Sequence, residues 1–171
     1  MFGQSLLKMN DLLKNKDFLL ARKENKHFVF RNTNLSRPSW NDILNELSRT
    51  VSSKERYREL DKFSLILLKA ENIPHVQPLM SSISSLSNLQ CSAHCYINFV
   101  THCKTFGRHN DDSDVFFWQV QGSTKWVVEE QQDFVYILNE NDLIYIPRKI
   151  VHTVFPLTPR VGISIGLDYE C

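Results

Sequence analysis

The stretch VFFWQVQGSTKWVVEEQQDFVYILNENDLIYIPRKIVHTVFPLTPRVGISIGL, residues 115–167, decides the fold. Six short runs within it, VFFWQV, TKWVVE, FVYIL, LIYIP, VHTVF and VGISIGL, are rich in the β-branched and aromatic residues that suit a pleated, half-buried surface. Breakers stand between them: Gly122, the polar Gln131-Gln132-Asp133, the turn-forming segment from Asn139 to Asp142, and the segment from Pro156 to Pro159. Short strands at such even spacing predict a sandwich or barrel.

Upstream of this stretch the pattern alternates between helix and strand. Leu6, Leu7, Met9, Leu12 and Leu13 recur at three-and-four spacing, which predicts one amphipathic helix over roughly residues 4–21. His27-Phe28-Val29-Phe30-Arg31 reads as a short strand, and Ser39 with Asp42 three residues on reads as a capping box opening a helix through Trp40, Ile43, Leu44 and Leu47. The charged run 54–62 reads as a solvated helix face or a loop. FSLILL from Phe63 is a strand, a helix follows from near Pro74, Ala93 to Val100 is β-forming, and residues 101–108 lead as a loop into what comes next. The expectation is one domain over residues 1–171, mainly β with N-terminal helices, in which helical elements of residues 1–62 pack on a barrel core of residues 63–171.

Composition narrows the partners. With 20 basic and 19 acidic residues the formal net charge is +1, and neither sign forms the long block that marks a nucleic-acid or membrane surface. The N-terminal MFGQSLLKMNDLLKNKDFLL is broken by Lys8, Asn10, Asp11, Lys14, Asn15 and Lys16, so it reads neither as a signal peptide nor as a membrane span. A cytoplasmic protein with its four cysteines as free thiols is expected.

Chemistry concentrates at three residues. His109 and Asp111 lie two apart, a spacing that in extended chain points both side chains to one face. His152 opens a later strand that could pair opposite them. Two imidazoles and one carboxylate on one side of a metal leave the other side open, the donor set of non-haem Fe(II) sites. Zinc accepts the same ligand types, and Cys91, His94, Cys95, His102 and Cys103 offer softer donors, although the Cys91/His94/Cys95 group has no second half.

The segment HNDDSDVFFWQVQGSTKW, residues 109–126, resembles the pattern H-x-D-x-x-D-V-F-x-x-Q-x-x-G-x-K-x-W of the JmjC and cupin-like 2-oxoglutarate oxygenases. LNENDLIYIPRKIVH, residues 138–152, resembles their L-x-x-G-D-x-L-Y-x-P-x-x-x-x-H, and residues 161–165 resemble the closing strand. The likeness is to the compact branch that holds ribosomal oxygenases and asparaginyl hydroxylases, and it extends upstream to residues 28–31, Trp40 and residues 63–69. It implies a double-stranded β-helix (jelly-roll) with Fe(II) on His109, Asp111 and His152, and with 2-oxoglutarate and O2 as co-substrates. It further implies that Asp142 and Pro147 shape the turns before the distal ligand and that Trp126 packs. The substrate class would be an amino acid, a peptide or protein side chain, or a small metabolite.

Two positions depart from the pattern. Asn141 replaces the usual glycine before Asp142, and asparagine tolerates the positive φ that a turn needs there. Thr124 stands where relatives carry the Lys or Arg that anchors the distal carboxylate of 2-oxoglutarate. Lys125 could replace it if a bulge turned it inward. Arg160 could reach in from the closing strand, which is the reading preferred here, or Thr124, Asn98 and Tyr96 could bind through hydroxyl and amide groups. Arg108 and Lys104 flank the ligand loop and could hold an acidic substrate. The alternatives are a cupin-type metalloenzyme that does not use 2-oxoglutarate, and a catalytically silent barrel that binds a ligand or partner.

Overall fold

The computed structural model describes residues 9–51 and 57–169. The named elements run α1 (Lys16–Lys23), β1 (Phe28–Phe30), α2 (Trp40–Val51), β2 (Tyr57–Asp61), β3 (Ser64–Leu68), α3 (Val76–Ser87), β4 (Gln90–Asn98) and β5 (Asp114–Gln121). They continue as β6 (Thr124–Glu129), β7 (Asp133–Leu138), β8 (Leu143–Ile146), β9 (Val151–Pro156) and β10 (Arg160–Asp168). One sheet has the order β1-β8-β5-β10-β4-β3-β2 and the other β7-β6-β9. From β5 onward the chain passes back and forth between the sheets, every pairing antiparallel. That wrapping is the jelly-roll, or double-stranded β-helix.

β5 explains why the layers stack as they do. Nearly all of its residues are buried, because it is covered on both faces. Phe116 and Trp118 face outward into a cluster with Phe18, Ile43, Leu79, Ile83 and Tyr145, where the helices cover the larger sheet. Val115 and Phe117 face inward, meeting Trp126, Val128, Leu138, Ile144 and Ile146 between the two sheets. A fully buried side chain of this size stabilises by about 1.5–3 kcal/mol relative to exposure. Phe18, on α1, is 0% exposed and lies against Phe28, Phe30, Phe116 and Tyr145, so α1 is pinned by a single aromatic plug.

Two sequence expectations change. The helix expected over residues 4–21 is interrupted: residues 9–13 are helical, and Asn15 then caps a separate α1 by accepting hydrogen bonds from the backbone N–H groups of Asp17 and Phe18. The Asn15 side chain satisfies N–H groups that a continuous helix would have bonded internally, so the local turn wins. Residues 4–8 of that expectation lie outside the described residues. The charged run read as helix or loop forms, from residue 57, the edge strand β2 paired to β3. Charged side chains are what an exposed sheet edge favours.

The turns expected around Asp142 and Pro147 form. Asn141 adopts φ 70°, and Asp142 accepts from the backbone N–H groups of Asn32 and Asn139 and from Arg31 Nη1. Ile150 N–H donates to Pro147 O, closing the tight turn into β9.

Gly162 has a packing role. A Cβ built there would lie 2.1 Å from Phe117 Cζ, so only hydrogen lets this ring lie across β10. At Gly166 the nearest atoms would be 3.7 Å away, ordinary contact. Gly162→Ala is therefore expected to destabilise by about 1–3 kcal/mol through overpacking, a loss of roughly 2–12 °C in Tm for a chain of this size. Gly166→Ala should melt close to the unsubstituted protein, and thermal unfolding followed by circular dichroism checks both.

Candidate functional site

His109 and His152 are brought together by backbone, not by side chains. His109 N–H donates to His152 O at 3.0 Å, and His152 N–H donates to His109 O at 2.8 Å, an isolated antiparallel bridge. Asp111 O accepts from Lys149 N–H at 2.8 Å, so the ligand loop is tied to the turn before β9 at a second point. The donor atoms of His109, Asp111 and His152 all lie within 4.8 Å of one another, the one such group among the described residues. His152 Nε2 is 3.6 Å from Asp111 Oδ2.

The imidazoles are held in one tautomer. His109 Nδ1 lies 3.0 Å from Gly107 O and His152 Nδ1 3.1 Å from Ile150 O. A carbonyl only accepts, so each Nδ1 carries the proton and each Nε2 keeps its lone pair for the centre of the triad. His152 is 3% exposed; burial first, and then the neighbouring His109, lower its pKa below the ordinary imidazole value. The Trp126 ring stacks on it at 5.4 Å. Trp126 is fixed in turn: its Nε1–H donates to Thr124 Oγ1, whose hydroxyl donates to Gln119 Oε1 at 2.8 Å.

The triad opens into a cavity of about 320 Å3, at the small end of ligand sites. β4 supplies His94, Tyr96 and Asn98 to its wall, and β10 supplies Arg160 and Ser164. Tyr96 is partly buried, and loss of water pushes its hydroxyl pKa up to about 12. Arg160 is 6% exposed and sits over the Phe117 ring at 5.5 Å. Its Nε donates to Asn98 Oδ1 at 2.5 Å, while its buried Nη1 has no hydrogen-bond partner. Burial lowers its pKa to about 10, and the groups nearby that oppose this are Cys103, Tyr96 and Cys95, none of them a carboxylate.

The other candidates separate. Thr124 is 0% exposed and occupied with Gln119 and Trp126, outside the cavity lining. Lys125 lies on the opposite face of β6, its ammonium 5.6 Å from the Phe155 ring, and the pairing of β6 with β7 and β9 runs without a bulge. Lys104 lines the cavity mouth, its backbone N–H bonded to Asp61. Arg108 is engaged by Glu129 through Nε and Nη2 at 2.7–3.0 Å, and it faces solvent. Cys91, His94 and Cys95 do not converge: Cys95 points into the helix-side cluster while His94 faces the cavity. The sequence offered His94 only as a softer metal donor and did not single out Ser164, yet strand alternation from Tyr96 and Asn98, and from Arg160, puts both on the cavity wall.

The comparisons with known proteins agree with this architecture. Residues 67–135 match the sequence profile of the JmjC domain. Escherichia coli YcfD, a ribosomal oxygenase, superposes with a TM-score of 0.73 at 20% identity over 91% of this chain and 51% of that one. The two chains share the fold. YcfD in complex with cobalt and 2-oxoglutarate gives 0.69 at 21% identity, and with cobalt and succinic acid 0.69 at 23%, with the same coverage of both chains. The chain thus spans about half the length of YcfD, and at these identities the likeness is one of fold. No curated protein matches the sequence. Among the described residues no helix is long and apolar enough to cross a membrane.

The lowered pKa of His152 sets a pH dependence. Unfolded, the imidazole takes up a proton near pH 6.5, whereas folded it stays neutral to lower pH. Below about pH 6.5 the unfolded chain therefore binds more protons, and the metal-free protein should lose stability as pH falls through that value. A His152→Gln variant should lose less over the same range. Melting curves of both proteins between roughly pH 5 and 8 check the difference.

Proposed function

We propose that this protein is an Fe(II)- and 2-oxoglutarate-dependent oxygenase that hydroxylates a C–H bond of an amino acid or of a peptide or protein side chain. The observation that carries the reading is Arg160, a buried cation with a free Nη1 and no carboxylate acting on it, in the same cavity as three convergent metal donors. Burying a guanidinium without an anion costs several kcal/mol. An incoming carboxylate offsets that cost with charge-assisted hydrogen bonds.

The donor set fits a divalent metal. Two neutral imidazoles with free Nε2 atoms and one carboxylate would hold Fe(II) and leave coordination positions open. With 2-oxoglutarate and O2, bound Fe(II) supplies the oxidation in which one oxygen atom enters the C–H bond and the other enters succinate, with release of CO2. The chain's own residues do the rest. Gly107 and Ile150 carbonyls fix the imidazole tautomers, Trp126 buttresses His152, and Arg160, held at Nε by Asn98, receives the distal carboxylate. Phe117, Trp126, Tyr96 and Phe106 line the intervening walls and keep water away from the reacting groups. Lys104 at the mouth is the remaining cation for a substrate with an acidic group. That the superposing YcfD is a ribosomal oxygenase favours a peptide or protein side chain over a free metabolite.

Anaerobic titration tests the reading. Adding 2-oxoglutarate to the Fe(II)-loaded protein is expected to raise a weak visible charge-transfer band, absent in Asp111→Ala, together with slow succinate release once O2 is admitted. Arg160→Ala should leave metal affinity unchanged and weaken 2-oxoglutarate by roughly 30-fold or more, the scale of losing one partner of a buried charge pair. Metal binding without the band would point instead to a cupin-type enzyme that does not use 2-oxoglutarate, and absence of metal binding to a non-catalytic barrel.

A further inference from the structure

We infer that Asn98 is the positioning residue for an anion-receiving end of the cavity: its neutral carboxamide fixes the Arg160 guanidinium while leaving that charge open to the carboxylate of an aliphatic dicarboxylate. The inference rests on the co-substrate reading of Arg160 and adds the residue that gives Arg160 its direction and keeps it available.

Three strands meet at this point. Arg160 pairs with Asn98 across β10 and β4, and Asn98 pairs with Ser64 across β4 and β3. The Asn98 side chain is 3% exposed and every polar atom in it is used. Oδ1 accepts from Arg160 Nε at 2.5 Å, and Nδ2 donates to Ser64 Oγ at 2.7 Å and to Cys103 Sγ at 3.0 Å. These bonds decide which way the amide faces. The two acceptors on one side take the NH2 group, so the oxygen is turned to the guanidinium.

The consequence for Arg160 is geometric and electrostatic. A guanidinium is planar, so one short bond at Nε, with the Phe117 ring beside the group at 5.5 Å, sets the direction of Nη1. Nη1 is the atom without a partner. An Asp or Glu at the same spot would hold the arginine equally well but would neutralise it. An amide orients the cation and leaves its charge unpaired, which matches a site that must accept and release an anion. The reading of Asn98 as a direct ligand of the co-substrate is thereby replaced, since its polar atoms are already engaged within the protein.

The test uses Asn98→Asp, nearly the same shape, and Asn98→Ala. Calorimetric titration of 2-oxoglutarate and of succinate into Mn(II)-loaded protein is expected to show roughly 100-fold weaker binding of both acids in Asn98→Asp, the scale of disabling a buried charged partner, and roughly 10-fold weaker in Asn98→Ala, the scale of losing one buried hydrogen bond. Mn(II) affinity should stay unchanged, and thermal melts identify any variant that fails to fold. A second readout needs neither metal nor acid: the Arg160 Nε–H signal in 15N-edited spectra should be protected from exchange in the unsubstituted protein and in Asn98→Asp, and exposed in Asn98→Ala. Variants that bind both acids as tightly as the unsubstituted protein, or an Nε–H equally protected in Asn98→Ala, overturn this inference alone. An unsubstituted protein that binds neither acid overturns it together with the co-substrate reading.

Discussion

The reciprocal backbone bonds between His109 and His152, at 3.0 and 2.8 Å, carry the rest of the site. They fasten an irregular segment to the start of β9, and because the contact is main chain to main chain it fixes where both Cα atoms lie before any side chain is considered. Side-chain direction then follows from alternation: Asp111, two residues past His109, shares its face, and Val154 on β9 and Trp126 on the adjoining β6 come to the same cavity. The Gly107 and Ile150 carbonyls complete the arrangement by choosing the tautomer. A site built in this way is set by strand register, which a jelly-roll holds rigidly because slipping by one residue would turn an entire strand inside out.

A second constraint acts on charge. Inside the barrel the wall groups are mostly neutral, and Arg160 brings a full charge into surroundings that include a phenyl ring, an amide, a phenol and two thiols. Thr124, on β6, is spent on orienting Gln119 and Trp126. The buried charge of the cavity sits on the first residue of β10.

Much of this was legible in the sequence. The strand pattern after residue 115 announced a barrel, the two-residue spacing of His109 and Asp111 needed only an extended backbone to converge, and Asn141 sits at the positive φ expected of it. Other features were hidden because local and tertiary forces disagree there. Apolar periodicity ran straight through Asn15, whose side-chain bonds to the next turn end one helix and begin another. The charged run before residue 62 looked unlike a strand because its partner lies on one side only. Arg160, between Pro159 and an apolar strand, reads equally well as a solvated loop residue; only the pairing with Asn98, 62 positions earlier, buries it. The places of His94 and Ser164 on the cavity wall follow from the two-residue period of β4 and β10.

The order of the strands in the larger sheet has a kinetic side. β1 is paired with β8, more than a hundred residues later, and β4 with β10 at separations of 62 to 78 residues, so few of the contacts that enclose the cavity are local in the chain. Chains dominated by such distant pairings collapse slowly, because each closure spends loop entropy before the strands reward it. The β6–β7 hairpin can form early from neighbouring residues. The bridge between His109 and His152, by contrast, must await both β5 and β9. During biosynthesis the metal donors would therefore be among the last groups to meet, so an ion arriving early would find an incomplete set of ligands.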